Sequence, residues 1–273
     1  MYPILFHLPF FGLRFPVSGH GAFLSLGLAL VIFLAYRQAK HEHEVPGIIV
    51  NLMVFELLAG IFGARLIYAL TALPYFVEHP LEVFMLWKPG LVWYGGFIGA
   101  ALCLLLYTRL RRLIFFKYAD ILVPFMAFGH AFGRLGCLLG GCCFGRPTEQ
   151  PWGIIFPAHS AAAQTHVLDG LIGEGMASLP VHPAQLYEAG SNFSLFLVLL
   201  LLGRHKTYHG QVSVGWCVLY PLSRFFIETF RGDNYRGVGI LSTSQYLSIA
   251  LLVFGVGLYF ALRTKQRTSM SHA

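Results

Sequence analysis

Hydrophobic residues are grouped along the chain into long stretches, and polar residues are concentrated in the short connections between them. A helix needs roughly 18 to 20 apolar residues to cross about 30 Å of hydrocarbon. Seven stretches approach or exceed that length, and they lie at residues 21–36, 47–73, 91–108, 118–142, 183–203, 211–230 and 241–262. The pattern therefore predicts an all-α membrane protein with seven transmembrane helices.

The composition agrees with this class, and the basic residues indicate an orientation. The chain is 56% hydrophobic and 11% charged, with a mean hydropathy of +0.66, and soluble domains rarely carry so few charges. Short cytoplasmic connections are enriched in Lys and Arg. The first, third, fifth and last connections hold most of these residues, namely Arg37, Lys40, Arg109, Arg111, Arg112, Lys117, Arg204, Lys206, Arg263, Lys265 and Arg267. We therefore expect the N-terminus outside and the C-terminus in the cytoplasm.

The longest connection, about 146–182, then faces the outer side. It is rich in Gly, Pro, Ala and His, and its length predicts an external arm. No internal repeat interrupts the chain, so residues 1–273 are predicted to form a single polytopic membrane domain. The net charge of +7 follows from contact of the inner side with anionic lipid and requires no nucleic acid.

Charged side chains inside the predicted spans are the first candidates for chemistry, because each costs about 2.5–3.5 kcal/mol on insertion scales. In the sixth span Tyr220, Arg224, Glu228 and Arg231 follow one another at steps that place them on one face of a helix. Such a face either binds a polar ligand or joins helices through ion pairs, and the spacing alone leaves both readings open.

The fourth span carries a similar face formed by His130, Arg134 and Cys137, followed by a glycine-rich run up to Gly145. Repeated glycines allow the backbone to bend around a bulky ligand, or allow two helices to pack closely. A guanidinium group can bind phosphate in bidentate fashion, which lysine cannot do. Arg134 and Arg224 facing one cavity would therefore indicate an anionic ligand.

The order of these motifs resembles the prolipoprotein diacylglyceryl transferase family over about residues 17–250. The resemblance is carried by Gly95-Gly96, by Gly133-Arg134-Leu135-Gly136 with Gly145, by His182-Pro183-Ala184-Gln185-Leu186-Tyr187-Glu188, and by Arg224 with Glu228 and Arg231. The element from His182 to Glu188 is the most specific of these. Gly60, Gly63, Arg65 and Tyr68 in the second span also resemble the family's pattern.

The resemblance implies an inner-membrane enzyme with its active site toward the outer leaflet. Such an enzyme transfers the diacylglyceryl group of phosphatidylglycerol to the thiol of the lipobox cysteine of a prolipoprotein and releases glycerol phosphate. On the family's pattern Arg134 holds the lipid headgroup, and Arg224, oriented by Glu228, steadies the reacting phosphate. The expected substrate-binding residues are Arg134, Gly133, Gly136, Gly145, Gly95, Gly96, His182, Gln185, Tyr187, Glu188, Tyr220, Arg231 and Arg65. No metal and no cofactor are expected, and the protein is expected to be a monomer.

The sequence departs from the family's pattern at four positions. The family usually has a Tyr where this chain has His20 and a His where it has Tyr94, so the two residue types are exchanged. If they face each other, His20 is the base that takes the proton of the acceptor thiol and Tyr94 is its hydrogen-bonding partner. His20 as a mere interfacial residue is the alternative. Cys137 and Cys142 replace the family's usual Asn and Glu.

The cysteines at the end of the fourth span allow several interpretations. Cys137 with Cys142 or Cys143 can form a disulfide if the helix ends at Gly140-Gly141, since an outer face is oxidising. Buried thiols that only pack are the simplest alternative. Metal binding is the least favoured, because the spacing is not that of a zinc site and no further ligand is evident.

Three classes of function remain open on the sequence. The first is the transferase, acting on prolipoproteins or on another acceptor. The second is a catalytically silent relative that only binds anionic lipid or a lipoprotein signal. The third is a transporter of an anionic lipid, which intramembrane arginines and broken helices would also serve.

Overall fold

A computed structural model of the protein describes residues 4–10, 13–86, 88, 90–233 and 237–271. Its secondary structure is mostly α-helical. The long helices are α1 (Gly19–His41), α2 (Pro46–Thr71), α4 (Trp93–Leu110), α5 (Phe115–Gly140), α7 (Ala184–Arg204), α8 (Gln211–Glu228) and α9 (Thr243–Ser271), and the short ones are α3 (Leu73–Glu78) and α6 (Ala161–Leu168), with a 3₁₀ turn at Pro80–Phe84.

Long helices occupy all seven positions that the hydrophobic pattern predicts. Within the described residues, five of them (α1, α2, α5, α7 and α9 up to Thr264) are long and apolar enough to cross a membrane. The other two are α4, a shorter apolar helix, and α8, which carries Arg224 and Glu228 within only 18 residues. The class of a helical membrane protein is confirmed.

Short strands are present that the hydrophobic pattern did not predict. Strands β1 (Ile4–Phe10) and β2 (Leu13–Ser18) form an antiparallel hairpin in which Leu8 pairs with Phe15. A second small pair, β3 (Gly237–Val238) and β4 (Leu241–Ser242), precedes α9. The first hairpin contains Pro9 and Pro16, and proline is disfavoured inside strands, so no strand was predicted there.

The chain divides into two compact units. One unit comprises Ile32–Ile121, and the other comprises Met1–Val31 with Leu122–Ala273. The first contains α2, α3, α4 and the ends of α1 and α5. The second contains the N-terminal hairpin, the remainder of α1 and α5, and everything that follows.

In the unit of residues 32–121, glycines bring α2 and α4 into backbone contact. A Cβ added at Gly95 would lie 2.3 Å from the carbonyl oxygen of Gly63, and one at Gly63 would lie 2.4 Å from that of Gly95. Both separations are far below van der Waals contact, so neither position accepts a side chain. This is the close packing of small residues typical of membrane helices.

Arg65 holds the connection between α2 and α4. The side chain is 1% exposed and donates hydrogen bonds to the carbonyl oxygens of Glu82 (2.8 Å), Val83 (3.2 Å), Lys88 (3.4 Å) and Gly90 (3.0 Å). A planar guanidinium with five donors can satisfy several carbonyls at once. Arg65 thereby fixes the segment from the 3₁₀ turn to the start of α4.

In the other unit, an arm of residues 141–183 connects α5 to α7. Its small core consists of Phe144, Phe156, Ala162 and Val181, all at most 3% exposed. The arm agrees with the predicted connection of 146–182 to within a few residues, because α5 ends at Gly140 and α7 begins at Ala184.

Candidate active site

A network of charged side chains lies where α5, α7 and α8 meet in the unit that contains the arm. Glu188, in the second turn of α7, is 1% exposed and faces three arginines. The Oε2 atom of Glu188 lies 2.8 Å from Nε of Arg134, and its Oε1 atom lies 2.8 Å from Nη1 of Arg231 and 3.8 Å from Nη1 of Arg224. One carboxylate therefore organises cations from three parts of the chain.

Two of these arginines have a second carboxylate. Arg224 pairs with Glu228 one turn further along α8, and its Nη2 donates to Oγ of Ser244 at 3.2 Å. Arg231 donates through Nε to Oδ1 of Asp233 at 2.7 Å. Of the predicted stripe, Arg224, Glu228 and Arg231 thus belong to this network, although α8 ends at Glu228 and Arg231 reaches Glu188 from the following turn.

Arg134 is bound differently. Its Nε donates to Nε2 of His130 at 3.3 Å and contacts Glu188, but its two Nη groups donate no hydrogen bond to the part of the chain that the structure describes. Their four N–H groups provide two parallel donors in the geometry that suits a phosphate. Arg134 is therefore the arginine best placed to bind an anion.

Two buried amide oxygens close to Glu188 in the sequence also accept no hydrogen bond within the described residues. They are Oε1 of Gln185 and Oδ1 of Asn192. Gln185 is fully buried, and its Nε2 donates to the carbonyl oxygen of Cys142 at 2.8 Å. Because unsatisfied buried acceptors are rare in native proteins, Oε1 of Gln185 is suited to a donor such as a ligand hydroxyl.

His182 and Tyr187 form a group of contacting rings with Phe230. Nδ1 of His182 lies 3.2 Å from the Tyr187 hydroxyl, which also accepts a hydrogen bond from Nε1 of Trp152 at 2.8 Å. The rings of His182 and Tyr187 both meet Phe230 edge-on. A separate ring contact joins two other residues named above, since the centroid of the His130 ring lies 5.8 Å from that of Tyr220.

Gly145 lies where the arm crosses the end of α8. Its N–H donates to the carbonyl oxygen of His182 at 3.0 Å, and Arg146 N–H donates to that of Phe230 at 2.8 Å. A Cβ at Gly145 would lie 2.3 Å from the carbonyl oxygen of His182. Only glycine fits at this close approach. The two backbone hydrogen bonds connect the arm to His182, just before α7, and to Phe230, just before Arg231.

Gly145→Ala is expected to destabilise the protein by about 1–3 kcal/mol or more, because the added methyl group forces backbone apart. Gly133→Ala is the matched control, since a Cβ at Gly133 meets no atom within 4 Å. Thermal unfolding in detergent should show a lower melting temperature for the first variant. The second should show an unchanged or slightly higher one, because alanine favours a helix more than glycine does. Equal melting temperatures for the two variants would contradict the packing described.

His20 begins α1 beside the glycine-rich signature. A Cβ added at Gly136 would lie 3.1 Å from Nδ1 of His20, and the His20 side chain is exposed. The sequence predicted a base at this position. The structure therefore places the imidazole close to Gly136, which follows Arg134 by two residues in α5.

The remaining predicted residues lie in the unit of residues 32–121. Tyr94, Gly95 and Gly96 are in the first turn of α4, and Arg65 is in α2. In that unit Gly95 serves helix packing and Arg65 binds backbone carbonyls, as described above. A role of these residues toward a substrate stays a prediction, as does the pairing of Tyr94 with His20.

Three thiols adjoin the arginines, and spacing alone did not indicate that all three would meet. Cys137, Cys142 and Cys143 are not joined by disulfides, and their sulfur atoms lie within 4.8 Å of one another. Hydrogen bonds with the thiols of Cys137 and Cys142 hold the pKa of Cys143 well below its ordinary value, and the charges of Arg134 and Arg231 act in the same direction.

Comparison with known proteins agrees with the family resemblance of the sequence motifs. The family model described as prolipoprotein diacylglyceryl transferase matches residues 3–261. The chain is 32% identical over 257 residues to the phosphatidylglycerol–prolipoprotein diacylglyceryl transferase 2 of Clostridium perfringens, covering 94% of each chain. It is 35% identical over 260 residues to the phosphatidylglycerol–prolipoprotein diacylglyceryl transferase of Bordetella parapertussis, covering 92% of this chain and 93% of that one.

Proposed function

The chain belongs to the prolipoprotein diacylglyceryl transferase family, and from this premise we propose its reaction. The protein transfers the diacylglyceryl group of phosphatidylglycerol to the thiol of the lipobox cysteine of a prolipoprotein. A C–S bond forms at the glycerol carbon of the lipid, the bond from that carbon to the phosphate oxygen breaks, and glycerol phosphate leaves with the electron pair. The thiol proton passes to a base.

The observation that carries this proposal is the hydrogen bonding of the Arg134 guanidinium group. Its side chain is only 16% exposed, it is held through Nε by His130 and Glu188, and its Nη groups make no hydrogen bond within the described residues. A buried guanidinium held at one end and free at the other suits a phosphodiester, because two parallel N–H···O bonds fix both position and orientation.

The departing phosphate gains negative charge as the C–O bond breaks, so stabilisation of that charge lowers the barrier. Arg224 and Arg231 supply further positive charge around Glu188. Their carboxylate partners Glu228 and Asp233 keep the guanidinium groups oriented before substrate binds, which limits reorganisation during the reaction. Oε1 of Gln185 is suited to accept a hydrogen bond from a hydroxyl of the glycerol headgroup.

Family membership also supports a location. We propose seven membrane spans with the N-terminus outside and the C-terminus in the cytoplasm, in the inner membrane of a bacterium. The arm and the arginine network would then face the outer leaflet, where phosphatidylglycerol and the signal peptide of a prolipoprotein both enter from the bilayer. Lateral entry requires no second subunit, so a monomer is proposed.

The test is transfer of label from phosphatidylglycerol carrying labelled acyl chains to a synthetic lipobox peptide by purified protein. We expect labelled peptide with the cysteine peptide and none with its serine counterpart. Label on the serine peptide would indicate another acceptor. Binding of phosphatidylglycerol without transfer to either peptide would indicate a catalytically silent relative.

The base in this scheme is His20. Its side chain is exposed, and an imidazole is the side chain most often used as a general base. We expect His20→Gln to reduce the transfer rate by about 100-fold or more without changing retention of phosphatidylglycerol, because the residue acts on the thiol and not on the lipid.

The matched control is His159→Gln, which changes an exposed histidine of the arm. It should leave the rate unchanged. Raising the assay pH should partly restore His20→Gln, since a larger fraction of the acceptor is then thiolate. A wild-type rate for His20→Gln would remove this residue from the mechanism and leave it an interfacial side chain.

A further inference from the structure

Three cysteine side chains converge at the junction between α5 and the arm. Cys137 lies in the last turn of α5, and Cys142 and Cys143 are among the first residues of the arm. No sulfur is more than 4.8 Å from the others, all three thiols are free, and each residue is half-buried. Among the described residues, the arginines of the network form no hydrogen bond with these thiols.

The backbone is shaped so that these thiols meet. Gly141 has a φ of 71° and Cys143 a φ of 61°, and a left-handed conformation is unfavourable for a non-glycine residue such as Cys143. The turn is held by Cys142 N–H, which donates to the carbonyl oxygen of Cys137 at 3.2 Å, and by the Gln185 side chain, which donates to the carbonyl oxygen of Cys142. The fold therefore maintains the cluster against a local conformational preference.

We propose that Cys137, Cys142 and Cys143 form a binding site for one thiophilic d¹⁰ cation of the class of Zn²⁺ or Cu⁺. Thiolates are the ligands that such cations prefer. Around a tetrahedral Zn²⁺ with Zn–S bonds of about 2.3 Å the sulfur atoms are about 3.8 Å apart. The three sulfurs lie within 4.8 Å of one another, so each pair has to approach by about 1 Å at most to share one cation.

The site offers three protein ligands and leaves a fourth position open. No His, Asp or Glu joins the cluster within the described residues. Three protein ligands with one open position is the arrangement of zinc sites that bind an exogenous ligand, whereas structural sites have four. Water or an exogenous thiol would complete the coordination.

The charges nearby favour this occupant. Three thiolates and one divalent cation carry a net charge of −1, and the guanidinium groups of Arg134 and Arg231 are close enough to interact electrostatically with Cys143. A disulfide would join only two of the three sulfurs and leave the third unused. The proposal goes beyond transferase chemistry, and cation binding can be measured on protein that has no substrate.

The experiment uses full-length protein in detergent micelles, reduced and then freed of reductant without oxygen. Zn²⁺ is titrated against a chromophoric chelator. The expected result is one Zn²⁺ per chain, with binding weakened at least about 100-fold in Cys143→Ser, since loss of even an outer-shell partner weakens metal sites by about 10–100-fold. The matched control is Cys103→Ser with Cys217→Ser, which removes the two thiols outside the cluster and should leave the stoichiometry at one.

A second readout needs no variant. Bound Zn²⁺ should protect Cys137, Cys142 and Cys143 of the wild-type protein from alkylation by N-ethylmaleimide, as mapped by peptide mass spectrometry, and a chelator should remove the protection. Cu⁺ bound in the same stoichiometry would support the proposal equally. It would be overturned if reduced protein bound neither cation, if binding survived serine at all three positions, or if protein isolated from cells carried a disulfide within the cluster.

Discussion

Replacing Arg134 by lysine is expected to reduce diacylglyceryl transfer by at least about 100-fold while leaving the protein folded. Lysine keeps the positive charge beside Glu188, but it cannot offer two parallel donors to a phosphate. Removal of one preorganised donor from a site of developing charge typically costs 10²–10³-fold in rate. The initial rate of label transfer to a lipobox peptide measures the effect.

Arg204→Lys is the control for this prediction. Arg204 is an exposed arginine at the C-terminal end of α7, the helix that carries Glu188, and its replacement should leave the rate unchanged. Thermal unfolding of both variants should match that of the wild type. If Arg134→Lys retained most of the activity, a point charge would suffice and bidentate binding by Arg134 would be wrong.

Glu188→Gln is expected to impair both stability and activity. The carboxylate is the shared counter-charge of three arginines, and glutamine keeps its size while removing its charge. Breaking a buried ion pair by neutralising one partner typically destabilises a protein by about 3–5 kcal/mol. Arg224 and Arg231 keep Glu228 and Asp233, whereas Arg134 loses its carboxylate contact among the described residues.

The loss should therefore appear as a lower melting temperature and as weaker, less selective binding of phosphatidylglycerol. Glu174→Gln, which neutralises an exposed carboxylate of the arm, is the matched control and should change neither property. A Glu188→Gln variant with wild-type stability would show that the arginines are supported by other groups and that the shared carboxylate is not the centre of the network.

The helices were predictable because apolar length is a local property of the sequence. The same holds for the face shared by Arg224 and Glu228, which is fixed by a spacing of four residues. What spacing cannot predict is contact between distant segments. Glu188 lies 54 positions from Arg134 and 43 from Arg231 along the chain. The resemblance to the family placed it among the substrate-binding residues, but its central place among the arginines was not predicted.

Two other features show the same limit. Arg65 resembled a substrate-binding residue in the sequence, and the structure shows its guanidinium binding the carbonyl oxygens of a neighbouring connection. The cysteines allowed a disulfide, a metal site or simple packing, and a choice between them depended on where the backbone turns at Gly141 and Cys143. Backbone conformation of that kind is set by tertiary contacts such as the one from Gln185.

Analysis of both products in one assay tests the central claim most directly. Phosphatidylglycerol is labelled differently in the acyl chains and in the headgroup glycerol, and purified wild-type protein is incubated with it and a lipobox peptide. We predict that each modified peptide carries a diacylglyceryl group in a thioether that resists hydroxylamine, and that one glycerol phosphate is released per modification. Headgroup label on the peptide, a hydroxylamine-labile single acyl chain, or no modification would contradict the reaction proposed for this chain.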